Sequence, residues 1–387
     1  MNITAVKAIP LKCACSPISD ALGTSTGRQA LLVKIETDCG LYGLGEAFTY
    51  GAPLPLMKYM VEDYLGAMII GRDPLEIEEI WNMLYWRTIA HGRRSLAMGG
   101  ISGIDIALWD LYGKTEHKSV SELLGKKLDR IPSYASGGFY APGKGLDGLR
   151  EELEGYRKQG YRNAKIKIGR NSDRPGSPLR YMANRDYAVT VEEDLRRIET
   201  AQEVLGDGLL SVDTNASWNV EEGIEGAKEL KKRGIYWLEE PIPFEETEGL
   251  QAISEIIPVA GFETQQGLKN FRNHIKANAV DIVQPDLGWA GGITECRKIG
   301  ALAEETGRKI SLHCFGSAIL FAASLQLAAA MPNTEMIESE ENPNPLKSEI
   351  GSHPLETDAE MNFFVPQGEG IGMDLNWDVV EKYQVTV

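Results

Sequence analysis

The sequence predicts a parallel β/α barrel preceded by an α+β cap, and two observations carry that reading. Five polar residues close short apolar runs at near-equal intervals: Asp213 after residues 209–212, Glu239 after 235–238, Glu263 after 259–262, Asp286 after 282–285 and His313 after 310–312. By subtraction, the gaps are 26, 24, 23 and 27 residues. Each gap holds one strand, one helix and two short loops, and repetition of that unit places every polar group at the carboxyl end of a barrel strand, where barrel enzymes do their chemistry. Residues 1–130 behave differently, with strand patterns first and helix patterns after, which is the order of an α+β domain.

Within the cap, residues 5–10, 30–36 and 41–47 read as antiparallel strands, the last two joined by the turn Thr37-Asp38-Cys39-Gly40. Helical patterns follow at 53–69, 74–88, 96–115 and 119–124. From Ile131 the rhythm becomes strand, helix, strand. Candidate strands end near Tyr140, Ile168, Asp213, Glu239, Glu263, Gln284, His313 and Glu338. Helices are expected at 145–159, 191–205, 220–233, 247–257, 292–306 and 318–331, with a shorter one at 268–278. The predicted domains are therefore a cap over 1–130, a barrel over 131–342, and a return of 343–387 across the cap. Residues 169–190 carry Arg170, Arg174, Arg180 and Arg185 on a loop too long for a simple connection. It follows the second barrel strand, so one of its arginines is a candidate for the far end of a substrate.

Bulk properties narrow the partners. A net charge of -16 over 387 residues argues against nucleic acid and anionic membranes, which want a basic surface. No apolar run approaches the ~18 residues of a membrane span. Five cysteines without a CxxC pair read as reduced thiols in the cytoplasm. The expected partner is a small carboxylate substrate, and the expected assembly, by analogy, a symmetric homo-oligomer.

Asp213, Glu239 and Glu263 on three successive strands make an all-oxygen site. Hard oxygen ligands suit Mg2+, with Mn2+ second; Zn2+ favours the His and Cys absent here. Glu240 is the rival to Glu239, but strand alternation lets only one face inward, so Glu240 is expected outward or behind the ligands. Lys165 and Lys167, two apart on a strand, share a face and enter the barrel. Each disfavours the other's charge and a nearby Mg2+ adds to this, so one amine is expected to be neutral near pH 7 and able to take a proton. On the other wall, Asp286 orients His313 and supports its protonated form. Asn215 shares the inward face of Asp213 and is a candidate substrate ligand. Glu338 ends the eighth strand; if protonated it can donate to a substrate carboxylate, with Glu340 as its rival by alternation. Together these groups specify removal of the proton beside a carboxylate, with the enediolate charge stabilised by the cation.

As an ordered set these motifs are specific. They comprise Arg93-Arg94, residues 102–110, Lys165-Ile166-Lys167, Val212-Asp213-Thr214-Asn215, Trp237-Leu238-Glu239-Glu240-Pro241, Phe262-Glu263-Thr264, Gln284-Pro285-Asp286, His313 and the glycine-rich segment 366–372. The chain resembles the enolase superfamily and, within it, the mandelate racemase-like branch, over nearly its whole length. That resemblance implies a modified TIM barrel, (β/α)7β, with cap segments near 16–30 and 48–53 closing over the substrate. It also implies that Asp213, Glu239 and Glu263 are metal ligands, Lys167 a base partnered by Lys165, His313 with Asp286 the second catalytic pair, and Glu338 the carboxylate donor. The activity expected is an acid-sugar dehydratase, a lyase giving a 2-keto-3-deoxy acid. A racemase or epimerase using the same residues is the alternative; a Schiff-base aldolase and a non-catalytic binding protein rank below it.

Overall fold

The computed structural model describes residues 1–387 apart from 93, 175–177 and 179–185. Eight parallel strands form the central sheet: Ser133–Gly137, Ala164–Lys167, Leu210–Asp213, Leu238–Glu239, Val259–Gly261, Ile282–Val283, Lys309–Ile310 and Ile337–Glu340. The first strand pairs with the second on one side and the eighth on the other. The seventh meets the eighth through Ile310, which accepts from Glu335 N (2.7 Å) and donates to Asn333 O (3.0 Å), so the sheet curls back on itself. Among the described residues, eight helices fill the seven connections between consecutive strands, from Leu146–Gln159 to Ala318–Ala330, two of them in the sixth connection. The arrangement is the expected (β/α)7β barrel. Several helices are fixed by capping boxes read directly from sequence, Thr190 with Glu193 and Asn219 with Glu222.

Period-two alternation builds the barrel interior in layers. Tyr134 and Trp237 pack edge to face at 5.3 Å with Ala260, Ile282 and Met336, forming an apolar plug. Two residues further along their strands come Ser136 and Glu239, level with Lys165 and Glu338, all buried. The polar layer therefore has an apolar floor, and solvent reaches it only from the carboxyl end.

The cap is a three-stranded antiparallel sheet, Ile3–Ser19, Thr24–Thr37 and Tyr42–Ala47, backed by the buried helix Leu96–Glu116. Its first two strands are much longer than expected. Residues 11–19 and 24–30 continue as a two-stranded ribbon, with a bulge between Ala14 and Ile18. Mixed polar and apolar residues hide this strand from periodicity, because the ribbon lies over the barrel rather than in a one-sided sheet. It is anchored by reciprocal bonds between Ser19 and Tyr140 (2.7 and 2.9 Å). The expected helix at 53–69 is broken into Leu54–Tyr59, a wider turn at Met60–Leu65 and a 3-10 turn at Gly66–Met68.

The cap helix docks on the barrel through buried polar contacts. Asp105 accepts from Thr294 N (2.9 Å), Ser102 from Gly291 N (2.9 Å), and Trp109 donates to Thr294 Oγ1 (2.8 Å). Asp110 gathers Leu44 N, Lys114 and Ile371 N, tying sheet, helix and carboxyl-terminal segment together. The last residues return to the cap, where Val385 N donates to Pro10 O (3.0 Å). Helix and sheet touch closely at Gly45: a Cβ there would lie 2.2 Å from Gly103 O. Gly45→Ala is expected to cost about 1–3 kcal/mol, measured by urea unfolding, because neither backbone can yield. An unchanged midpoint would show that the helix moves freely on the sheet.

Among the described residues, no helix is long and apolar enough to cross a membrane. All five cysteines are free; Cys13 and Cys15 lie 3.9 Å apart on one strand.

Candidate active site

Ile166 points into the barrel's outer core, so Lys165 and Lys167 on either side of it both face inward. Lys165 is ion-paired with Glu239 and with Glu338 (2.8 Å), and lies 3.5 Å from Asp213. Lys167 pairs with Asp213 and sits over the Phe139 ring. Glu239 also accepts from Gln284 Nε2 (2.8 Å) and Trp237 Nε1 (3.2 Å), and Asp213 from Asn215 N (2.8 Å). Asp213, Glu239 and Glu263 are all buried, and each offers an oxygen within 4.8 Å of the others. The three sequence-predicted carboxylates are thus brought together.

Their electrostatics favour a cation. Burial, with Asp213, Glu338 and Glu263 nearby, pushes the Glu239 carboxyl up to about 8 despite Lys165. Burial also raises Glu263, against the pull of His313 and Lys167. Only Asp213 falls below its usual value, because Lys167 and Lys165 outweigh its burial. A buried all-oxygen set with unrelieved mutual repulsion fits Mg2+ or Mn2+.

The lysines correct one expectation. Burial works against both ammonium ions, but Glu239 and Glu338 hold Lys165 well above the usual lysine value, and Asp213 does the same for Lys167 against repulsion from Lys165. Carboxylates thus favour the charged form of both amines, against the neutral one expected. Glu338 corrects a second. Burial raises it, but Lys165, His313 and Lys167 together hold it far below the usual range. It accepts from Ser136 (2.6 Å) and Cys314 N (3.2 Å), so it is an ionised acceptor anchoring Lys165, not a protonated donor. Its rival Glu340 pairs with Arg28 instead.

On the facing wall, His313 Nδ1 donates to Asp286 Oδ2 at 2.7 Å, with Nε2 3.5 Å from Glu263 and 3.7 Å from Glu338. Asp286 caps the short helix Leu287–Ala290 by accepting from Gly288 N, which fixes its carboxylate. Burial disfavours the imidazolium, yet Glu263, Glu338 and Asp286 carry His313 up to about 10. The expected support for the protonated form is therefore present.

Glu240 leaves the strand with φ +40° and lines a small cavity that Asn215 also borders. It is not outward: burial and the charges of Glu263, Asp213 and Glu239 push its carboxyl well up. Asn215 (φ +45°) faces the main cavity, and its Oδ1 is buried without a partner. That main cavity, about 550 Å³, runs from Lys167, Glu263 and His313 to the ribbon residues 18–29 and to Phe48–Gly51 in numbering. Both cap segments expected to close over a substrate thus border it.

The arginine expectation fails where it can be seen. Arg170 is fully buried and donates to Asp186 O and Asp20 O, tying the ribbon tip to the second strand. Arg174 stacks on Trp218 at 4.7 Å and bonds Asn171. Both are structural anchors, because carbonyls and an indole reach them first. Arg180 and Arg185 lie outside the described residues, as does Arg93. Three side chains at the site escaped sequence reasoning. Tyr50 stacks on His313 (6.1 Å, 14°) with its hydroxyl buried and unpartnered. Gln284 orients Glu239, and Arg28 reaches in from the ribbon. Gln284, two before Asp286 and so on the same strand face, was the one with a readable signal.

A cap-covered barrel whose carboxyl end gathers acidic triad, paired lysines and an Asp–His couple is the architecture of a carbon-acid enzyme. Comparison gives the family. Residues 148–379 match the enolase C-terminal domain-like family, and residues 3–125 the N-terminal domain of mandelate racemase and muconate lactonizing enzyme. The chain belongs to the enolase superfamily, in its mandelate racemase-like branch. It is 33% identical to an arabinonate dehydratase of Saccharolobus solfataricus, over 92% of this chain and 91% of that one. It is likewise 33% identical to a D-galactarolactone cycloisomerase of Agrobacterium fabrum, over 100% and 99%. A Streptomyces coelicolor racemase solved with bound magnesium superposes with a TM-score of 0.87 at 25% identity, over 99% of this chain and all of that one.

Proposed function

We propose that this enzyme removes the proton alpha to the carboxylate of a sugar acid and then eliminates the β-hydroxyl as water, giving a 2-keto-3-deoxy acid. One observation carries the reading: Lys167 on the second strand and His313 after the seventh border the same cavity, so that one group is assigned to take a proton and the other to give one. Relatives named as dehydratases of arabinonate and of L-talarate and galactarate support it.

Asp213, Glu239 and Glu263 are assigned as the Mg2+ ligands. Such a cation, held by these three carboxylates, would supply charge against the oxyanion that develops on the substrate carboxylate and would weaken the pull of Asp213 on the Lys167 ammonium. Lys167 takes the C2 proton as the C2–H bond breaks. Lys165, pinned by Glu239 and Glu338, keeps positive charge beside it. Those electrons form the C2–C3 double bond as the C3–O bond breaks, and the His313 imidazolium protonates the departing hydroxyl, so water leaves. The enol then tautomerises to the keto acid. Asp286 holds His313 in the tautomer that presents Nε2 to the cavity. Asn215 orients substrate oxygens.

A panel of aldonates and aldarates, assayed with Mg2+ for 2-keto acid formation, tests this. At least one acid is expected to turn over at kcat/KM of about 10⁴ M⁻¹s⁻¹ or more. Failure of every polyhydroxy acid to lose water would overturn it. Acceptor and donor on different walls also permit epimerisation, as in the relative named a racemase. Exchange of the C2 proton in D2O without loss of water would select that reading.

A further inference from the structure

The far end of the cavity is electrically balanced, and this bears on which sugar acids fit. The inference rests on the proposed function. Arg28 enters from the cap ribbon, opposite Cys13, and is only 6% exposed. Its Nη2 donates to Glu340 Oε1 at 2.9 Å, and its guanidinium lies over Phe315 at 4.8 Å. Glu340 is 2% exposed and accepts additionally from Asn342 N. Arg28 Nε and Glu340 Oε2 are both buried without hydrogen-bond partners. The pair carries zero net charge; Arg28 borders the cavity, and Glu340 is not part of its lining.

The other charges bordering this end, among the described residues, are Asp20 and the exposed Lys12, which also cancel. Between them stand uncharged groups, including Thr24, Thr26 and Gln29. The barrel end is different: two basic side chains, Lys167 and His313, border it beside the single carboxylate Glu263 among the described lining residues. A single carboxylate is drawn to the barrel end. A hydroxyl, which both donates and accepts, suits the cap end. A second carboxylate at the cap end would lose its hydration against Asp20, with Arg28 Nη2 already paired to Glu340.

We propose that the enzyme is selective for monocarboxylic sugar acids ending in a hydroxyl, and that the Arg28–Glu340 pair sets this selectivity by keeping the cap wall neutral. The test compares aldonates with aldarates of matching configuration, by kcat/KM and by calorimetric affinity. Wild type is expected to favour the aldonate by about 100-fold. Glu340→Gln, which frees the Arg28 charge, is expected to narrow that ratio at least about tenfold by improving the aldarate. Equal or reversed preference in wild type overturns the proposal while leaving the dehydration reading intact. A strong aldonate preference that Glu340→Gln leaves unmoved overturns the role of the pair. Should Glu340→Gln not fold, Arg28→Gln serves: it removes the guanidinium and leaves the Glu340 charge, so the aldonate preference should widen, and an unchanged ratio counts against the pair. If neither class of acid binds or reacts, the proposed function and this inference fall together.

Discussion

Glu239→Gln is expected to reduce turnover by about 10³-fold or more and to abolish measurable Mg2+ binding, in a protein that stays folded. The magnitude follows from several kcal/mol of charge stabilisation depending on one ion held by three carboxylates. Glu239 has no exposed surface, and both its oxygens are committed, one to Lys165 and one to Gln284 and Trp237. Gln keeps the shape but removes the charge, and its amide nitrogen must face another donor. The fold should survive because Lys165 retains Glu338 at 2.8 Å and Asp213 at 3.5 Å. Calorimetric titration with Mg2+, beside circular dichroism and the acid assay, separates the two effects. Wild-type affinity and rate in this variant would remove Glu239 from the ligand set; an unfolded variant would make its role that of a counter-ion for Lys165.

What could be read from the sequence, and what could not, divides along physical lines. Strand alternation and the barrel period are local, so Asp213, Glu239, Glu263, Asp286 and His313 could be placed at strand ends and found together. The two-apart lysines could be sent inward for the same reason. Protonation states are not local. The neutral lysine was expected from its twin and from a nearby Mg2+, whereas three carboxylates drawn from other strands favour the charged form. Glu338 was a carboxylate donor only if protonated, and the two lysines and the histidine around it in space favour its ionised form. Arg28 and Glu340 lie 312 positions apart, and no pattern in either segment announces their contact. The ribbon over residues 11–30 escaped for another reason: it packs across the barrel mouth and has no single apolar face to show a period. Tyr50 and Glu240 depend on left-handed backbone at φ +46° and +40°, conformations that neither residue type signals.

His313→Asn is expected to stop dehydration, by about 10²–10⁴-fold, while leaving slow exchange of the C2 proton. The asymmetry follows from the two walls. Glu263, Glu338 and Asp286 raise the hold of His313 on its proton against burial, which is why it is assigned the donor role and not that of base. Asn occupies the space and can still bond Asp286, but it has no proton to transfer. Lys167 is ion-paired with Asp213 and is untouched by the change, so C2 deprotonation continues. Product assay and NMR in D2O measure the two rates separately. Loss of exchange together with dehydration would make His313 the abstracting base and Lys167 its counterpart. The same substitution carries a pH signature in protein stripped of divalent cations by a chelator. The folded imidazole, at about 10, binds its proton more tightly than an unfolded one at about 6.5. Its stabilisation is therefore complete below pH ~6.5 and is lost as pH rises through about 10, by roughly a few kcal/mol. Wild type should lose stability relative to His313→Asn across that window in urea unfolding. A constant difference between the two from pH 6 to 10 would mean that the folded protein does not hold this imidazole charged, and the donor role assigned to His313 would go with it.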